Sequence, residues 1–162
     1  MHTIIGVMGS GEISEEEKTE AFELGKRIAE NKWVLLTGGR DTGVMDAASR
    51  GAKSVKGITV GVVPDSDVRR LSEAVEIPIV TGMGGARNAI NVLSCHVVIA
   101  CRGRSLGTIS EIALALKAGK PVILFNCISE CIELFEKTGG DRVFSVRTPE
   151  EAILKTRELI ST

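Results

Sequence analysis

Tyrosine is absent from the 162 residues, and one Trp and four Phe make up the whole aromatic set. So few rings argue against the stacking platforms on which RNA and single-stranded DNA binders hold bases. Neither sign of charge dominates: 20 Lys and Arg stand against 21 Asp and Glu, for a net charge of −1. No global field therefore draws the chain to nucleic acid or to an anionic membrane. No apolar run approaches the roughly 18 residues that span a bilayer, and the first residues read as a strand rather than an export signal. The four cysteines (Cys95, Cys101, Cys127, Cys131) contain no CxxC pair and are joined by only two histidines, so no metal site is expected. Cys127 and Cys131 lie four apart at a helix start, and Cys95 and Cys101 six apart on one strand face. Such thiols are expected to be buried and reduced, in the cytoplasm.

What is present is a regular alternation. Apolar β-branched runs at Thr3–Met8, Trp33–Thr37, Ile58–Val63, Glu76–Val80, His96–Cys101, Pro121–Phe125 and Arg142–Val146 are separated by helical patterns. These patterns cover Glu15–Asn31, Val44–Ser54, Gly85–Ser94, Ile109–Ala118, Glu130–Lys137 and Pro149–Ile160, with a polar segment at Asp65–Ser72. Near-continuous apolar strands between helices predict a doubly wound, Rossmann-like α/β domain over 1–162, with a mainly parallel sheet of six to seven strands. Ser14 with Glu17, Thr108 with Glu111, and Thr148 with Glu151 each fit a capping box; Asp41 and Thr42 fit a helix cap. Gly119 fits a helix C-terminus.

The 18 glycines are concentrated after strands. Four loops carry them: Gly9-Ser10-Gly11-Glu12, Gly38-Gly39-Arg40-Asp41-Thr42-Gly43, Gly82-Met83-Gly84-Gly85 and Gly103-Arg104-Ser105-Leu106-Gly107-Thr108. A parallel sheet puts all four at one edge, where ligands bind near the reversal of strand order. In the usual order that point joins the loops after Met8 and Val80. Glycine lets backbone N–H groups approach a ligand, and a following helix N-terminus favours an anion. Arg40, Arg87, Arg102 and Arg104 lie in or beside these loops and could add phosphate contacts. The expected ligand is a small phosphorylated molecule. An NAD site is not expected, because Gly9-x-Gly11-x-x-Ser14 lacks the third glycine, and no GxxxxGK[ST] is present. Arg69-Arg70 reads as a solvated pair.

The segment Gly38-Gly39-Arg40-Asp41-Thr42-Gly43-Val44-Met45 resembles the GGGxxGLM stretch of LONELY GUY (LOG)-type proteins, often labelled possible lysine decarboxylases. Gly107-Thr108-Ile109-Ser110-Glu111 resembles the second half of their PGGxGTxxE signature, and the stretch running on to Leu116 is similar to the molybdenum cofactor carrier protein-like branch. The resemblance covers essentially the whole chain and implies two functions. In the carrier branch the cleft binds a phosphorylated pterin cofactor without turnover; LOG enzymes cleave the N-glycosidic bond of nucleoside 5′-monophosphates. The first reading makes this a carrier or binding protein for a nucleotide or molybdenum pterin ligand, with no cofactor required for its own action. The second makes Glu111 and Arg87 catalytic, the carboxylate stabilising an oxocarbenium-like state. It does not imply a pyridoxal-dependent decarboxylase, and it implies a homodimer or higher homo-oligomer.

Glu111 thus has three roles open: catalysis, ligand contact, or capping with Thr108, where the helix dipole would keep it ionised. Arg87 near a helix start favours an anion partner. The binding set expected is Gly9, Ser10, Gly11, Gly38, Gly39, Gly43, Gly84, Gly85, Arg87, Asn88, Arg104, Gly107, Thr108 and Glu111. Where the family has Pro-Gly-Gly, this chain has Gly103-Arg104-Ser105. Those side chains either block the approach of a phosphoribosyl group or let Arg104 supply an anion contact. Asn88 also replaces the lysine that follows the LOG arginine.

Overall fold

A computed structural model describes residues 1–161. Seven strands form one sheet: β1 (Ile4–Met8), β2 (Val34–Thr37), β3 (Thr59–Val63), β4 (Ile77–Val80), β5 (Val97–Cys101), β6 (Val122–Phe125) and β7 (Val143–Val146). Six helices connect or flank them: α1 (Glu15–Glu30), α2 (Gly43–Ser54), α3 (Asn88–Leu93), α4 (Leu106–Lys117), α5 (Ser129–Gly139) and α6 (Pro149–Ile160). The strand order is β4-β3-β2-β1-β5-β6-β7, and every pairing is parallel. This is the doubly wound α/β architecture expected from the alternation.

Burial on both faces explains the continuous apolar strands. Ile5, Val7, Val97, Ile99 and Ile123 pack on one side with α1, α2 and α6. Met8, Leu36, Val98, Ala100 and Leu124 pack on the other with residues of α3, α4 and α5. The α1–α2 contact is close enough that a Cβ on Gly25 would lie 2.0 Å from the Ala48 carbonyl oxygen, and one on Gly51 1.9 Å from that of Phe22.

The point of strand reversal differs from expectation. Residues 64–76 form no helix, and the segment stays beside β3, anchored by Ser72 N–H to the Gly39 carbonyl (2.9 Å) and by an Arg40–Leu71 bridge. β4 therefore adds to the outer edge next to β3, and β1 meets β5 instead. The loops after Met8 and Cys101 are the ones brought together.

The caps are settled by hydroxyl reach. Ser14–Glu17 and Thr148–Glu151 form complete capping boxes, with Pro149 opening α6. Thr108–Glu111 does not: Ser105 is the N-cap, its hydroxyl accepts the Thr108 amide, and α4 starts at Leu106. Thr42 occupies the N-cap of α2 without a side-chain bond, and Asp41 pairs with Arg70 at 3.7 Å. The helix expected from Gly85 is a 3-10 turn over Gly84–Arg87 leading into the shorter α3. Gly119 follows α4 at φ +76. Cys95 and Cys101 lie on opposite faces of the sheet, because Cys95 precedes the strand. All four cysteines are free. Among the described residues no helix is long and apolar enough to cross a membrane, and no group of three His, Cys, Asp or Glu could hold a metal ion.

Candidate functional site

At the carboxyl edge of β1, β2 and β5 lies a cleft of about 190 Å³. One side comes from Met8 at the end of β1 with Gly9, Ser10 and Gly11 after it, and from Gly38 after β2 with Met45 of α2. The opposite wall is Ser105, Gly107, Thr108 and Glu111 of the β5–α4 connection, closed by Arg87 and Asn88. Nine of the expected residues meet here: Gly9, Ser10, Gly11, Gly38, Arg87, Asn88, Gly107, Thr108 and Glu111.

The remaining five stand elsewhere. Gly39, at φ +77, makes the turn under Val63, and Gly43, at φ +59, opens α2. Gly84 and Gly85 are exposed on the turn before α3. Arg104 turns away from the cleft: its Nη1 pairs with Glu17 Oε1, and its Nη2 donates to Glu17 Oε2 at 2.9 Å. Of the four arginines near the loops, Arg40 pairs with Asp65 (3.0 Å) and Arg102 with Glu17 (3.2 Å) and Glu20 (2.5 Å). Arg87 is the one that lines the cleft. Arg69 holds Asp67 at 2.6 Å on the surface.

Arg87 is half-buried and tethered by backbone oxygens. Its Nε donates to the Val62 carbonyl (2.9 Å), its Nη2 to that of Gly38 (3.4 Å) and its Nη1 to Asn88 Oδ1. Burial pulls its pKa down, with the Glu111 carboxyl opposing this; a guanidinium stays charged regardless. Asn88 passes the chain of bonds on, Nδ2 donating to Ser110 Oγ at 3.0 Å. The guanidinium is thus held in place at the cleft wall.

Glu111 is 6% exposed and lies one turn inside α4 rather than at its cap. Asn91 Nδ2 donates to its Oε1 at 2.9 Å. Burial raises its pKa, outweighing the Asn91 hydrogen bond and the charge of Arg87, the opposite direction to the lowering expected at a helix start. A raised folded-state pKa in an acid means stability is fully present below the ordinary carboxylate range and is lost as pH rises through the raised value. Glu111→Gln, which still accepts from Asn91, is expected to be more stable than the parent by about 1 kcal/mol above neutral pH. Urea unfolding at pH 8 and pH 4 checks this: the gain belongs to the higher pH only.

Sequence reading missed Asn91, fully buried and three residues after Asn88 on one face of α3, with its Oδ1 unpaired. Two asparagines at helical spacing in an otherwise apolar segment were the available signal. It also missed Ser105, Met8 and Met45 as lining residues. Met8 reads as core, and it is core, 1% exposed at the bottom of the cleft.

Chemically, the cleft offers an anion the first turn of α4, the glycine-bearing loop after β1 and one fixed guanidinium. It also offers a buried carboxyl able to donate or accept a proton at the same place.

A model of the SLOG cluster4 family matches residues 2–153. The molybdenum cofactor binding protein of the phototrophic bacterium Rippkaea orientalis is 50% identical, with a TM-score of 0.95 over 99% of this chain and 98% of that one. The molybdenum cofactor carrier protein of Chlamydomonas reinhardtii is 44% identical, with a TM-score of 0.91 over 99% of each chain. A protein of Archaeoglobus fulgidus described only as uncharacterized is 41% identical over 152 residues, covering 92% of this chain and 91% of its own.

Proposed function

Given that the chain belongs to the SLOG cluster4 family, we propose that it binds and carries a phosphorylated heterocycle of the molybdenum pterin type at the carboxyl edge of its sheet. The observation that carries this reading is the meeting of the α4 N-terminus, the Gly9-Ser10-Gly11 loop and Arg87 in one cleft. The similarity to two molybdenum cofactor proteins over nearly the full chain supports the pterin class. The donor set suits the phosphate of such a cargo: backbone N–H groups that need no proton change, and a guanidinium anchored by backbone oxygens. Ser105, Thr108 and Asn88 add polar contacts beside apolar Met8 and Met45, a mixture that suits a heterocycle. Part of the same reading is a homodimer or higher homo-oligomer in the cytoplasm, for which Met83, Leu93 and Leu106 offer exposed apolar side chains.

A second reading, hydrolysis of nucleoside 5′-monophosphates, is favoured by the presence of Glu111 and Arg87 in the same cleft. One experiment separates the two. Purified protein is titrated with 6-hydroxymethylpterin monophosphate, followed by pterin fluorescence, and is incubated in excess with nucleoside 5′-monophosphates while free base is measured. The carrier reading expects pterin binding that weakens about 10- to 100-fold in Arg87→Ala, the loss of a charged hydrogen-bond donor, with no base released. Release of base that vanishes in Glu111→Gln makes the protein a hydrolase. Absence of affinity for either class overturns the anion-cleft reading.

A further inference from the structure

The β5–α4 connection, Arg102 to Ser105, is held from two sides. Toward α1, Arg104 and Arg102 converge on Glu17: Arg104 Nη2 is 2.9 Å from Oε2, Arg104 Nη1 pairs with Oε1, and Arg102 Nε is 3.2 Å from Oε1. Glu17 is 8% exposed, and its Oε2 also accepts the Ser14 amide at 2.7 Å, so the carboxylate is fixed by the cap of α1. Toward α5, Gly103 lies on two thiols: a Cβ there would fall 2.4 Å from Cys131 Sγ and 3.1 Å from Cys127 Sγ. Arg102 and Gly103 both adopt left-handed backbone, at φ +64 and +58, and for the non-glycine Arg102 that conformation costs energy which its surroundings must offset.

Ser105, directly after Arg104, both caps α4 and lines the cleft. Its position fixes where the amides of the first turn point. Arg104, although it does not line that cleft, sits between an anchor on α1 and the cap of the anion-facing helix.

We propose that Arg104 and Glu17 are positioning residues for the ligand, an ionic clamp that holds the Ser105–Thr108 turn in register with the cleft. This rests on the phosphate-cleft reading above and assigns the arginine an indirect role in place of direct anion contact. Binding to a pre-ordered turn loses less freedom than binding to a mobile one, which is the source of the affinity.

The test compares Arg104→Ala, Arg104→Lys and Arg27→Ala. Arg27, on the same helix as Glu17, pairs with Glu23 at 2.7 Å and with Glu150 of α6, and serves as the control for loss of an ion-paired arginine outside the clamp. Two readouts are taken: affinity for 6-hydroxymethylpterin monophosphate, and hydrogen exchange of the Thr108 and Ile109 amides without ligand. The expected result is exchange faster by about tenfold and affinity weaker by about tenfold in Arg104→Ala, with partial recovery in Arg104→Lys and neither change in Arg27→Ala. Unchanged affinity in Arg104→Ala overturns the proposal, as does an equal loss in Arg27→Ala. If the unsubstituted protein binds neither the pterin nor a nucleoside 5′-monophosphate, the phosphate-cleft reading falls and the ligand role of the clamp with it. Exchange faster in Arg104→Ala then still assigns the clamp to loop order alone, which keeps the two failures distinct.

Discussion

Gly43→Ala is expected to cost about 3–5 kcal/mol, a large share of a typical total of about 5–15 kcal/mol. Gly43 opens α2 at φ +59, a conformation that costs an alanine roughly 1–2 kcal/mol by itself. The larger contribution is steric. A Cβ would lie 2.1 Å from the Ser10 carbonyl oxygen and 2.5 Å from Gly11 Cα, both backbone atoms that no rotamer change can move aside. The same Ser10 carbonyl accepts the Val44 amide at 3.0 Å, so relieving the clash breaks the tie between the β1–α1 loop and the start of α2. Because Ser10 and Gly11 line the cleft, ligand affinity should fall in any protein that remains folded. Gly84→Ala is the matched control: its φ is +56 but nothing lies within 4 Å of the added Cβ, so only the backbone cost of about 1–2 kcal/mol is expected. Urea unfolding of the two variants side by side measures the difference, and equal losses would refute the steric account.

The second large effect concerns Glu17. The Arg104 hydrogen bonds, then the Ser14 amide and the charges of Arg104 and Arg102, hold its carboxyl at a pKa of about 2 against an ordinary 4.5; burial opposes them. A depressed folded-state pKa contributes stability that is present above the unfolded value and is lost as pH falls through the folded one. For Glu17 the window runs from about 4.5 down to about 2, and the contribution at neutral pH is about 2–3 kcal/mol after allowance for the partly exposed Arg104. Glu17→Gln keeps an acceptor for the Ser14 amide and removes only the charge. The variant should be less stable by that amount at pH 7, and the gap should close as the pH approaches 2. A gap that stays constant across this range would mean the loss is one of shape rather than charge.

These two sites show where sequence reasoning reaches and where it stops. The glycine of Gly43 was legible as a loop glycine, but its collision with Ser10 depends on two loops from different βα units meeting. The capping box at Ser14–Glu17 was legible as a local spacing. That Glu17 also receives two arginines more than eighty residues away was not, since no local pattern encodes that distance.

The cleft follows the same division. The chain's alternation of apolar runs and helical patterns determined a doubly wound sheet with its glycine loops on one edge, because burial on both faces dictates strand composition and parallel strands share a carboxyl end. The same logic placed Gly9, Gly38, Arg87, Gly107 and Glu111 within reach of one another. Only the tertiary structure decided that β4 sits at the outer edge, so that β1 meets β5 and the cleft opens between their loops. It also decided that Arg104 faces Glu17 instead of the cleft. The physical reason is that strand order and side-chain partners across the sheet are set by packing between segments distant in sequence, whereas element type, caps and burial faces are set by neighbours a few residues apart.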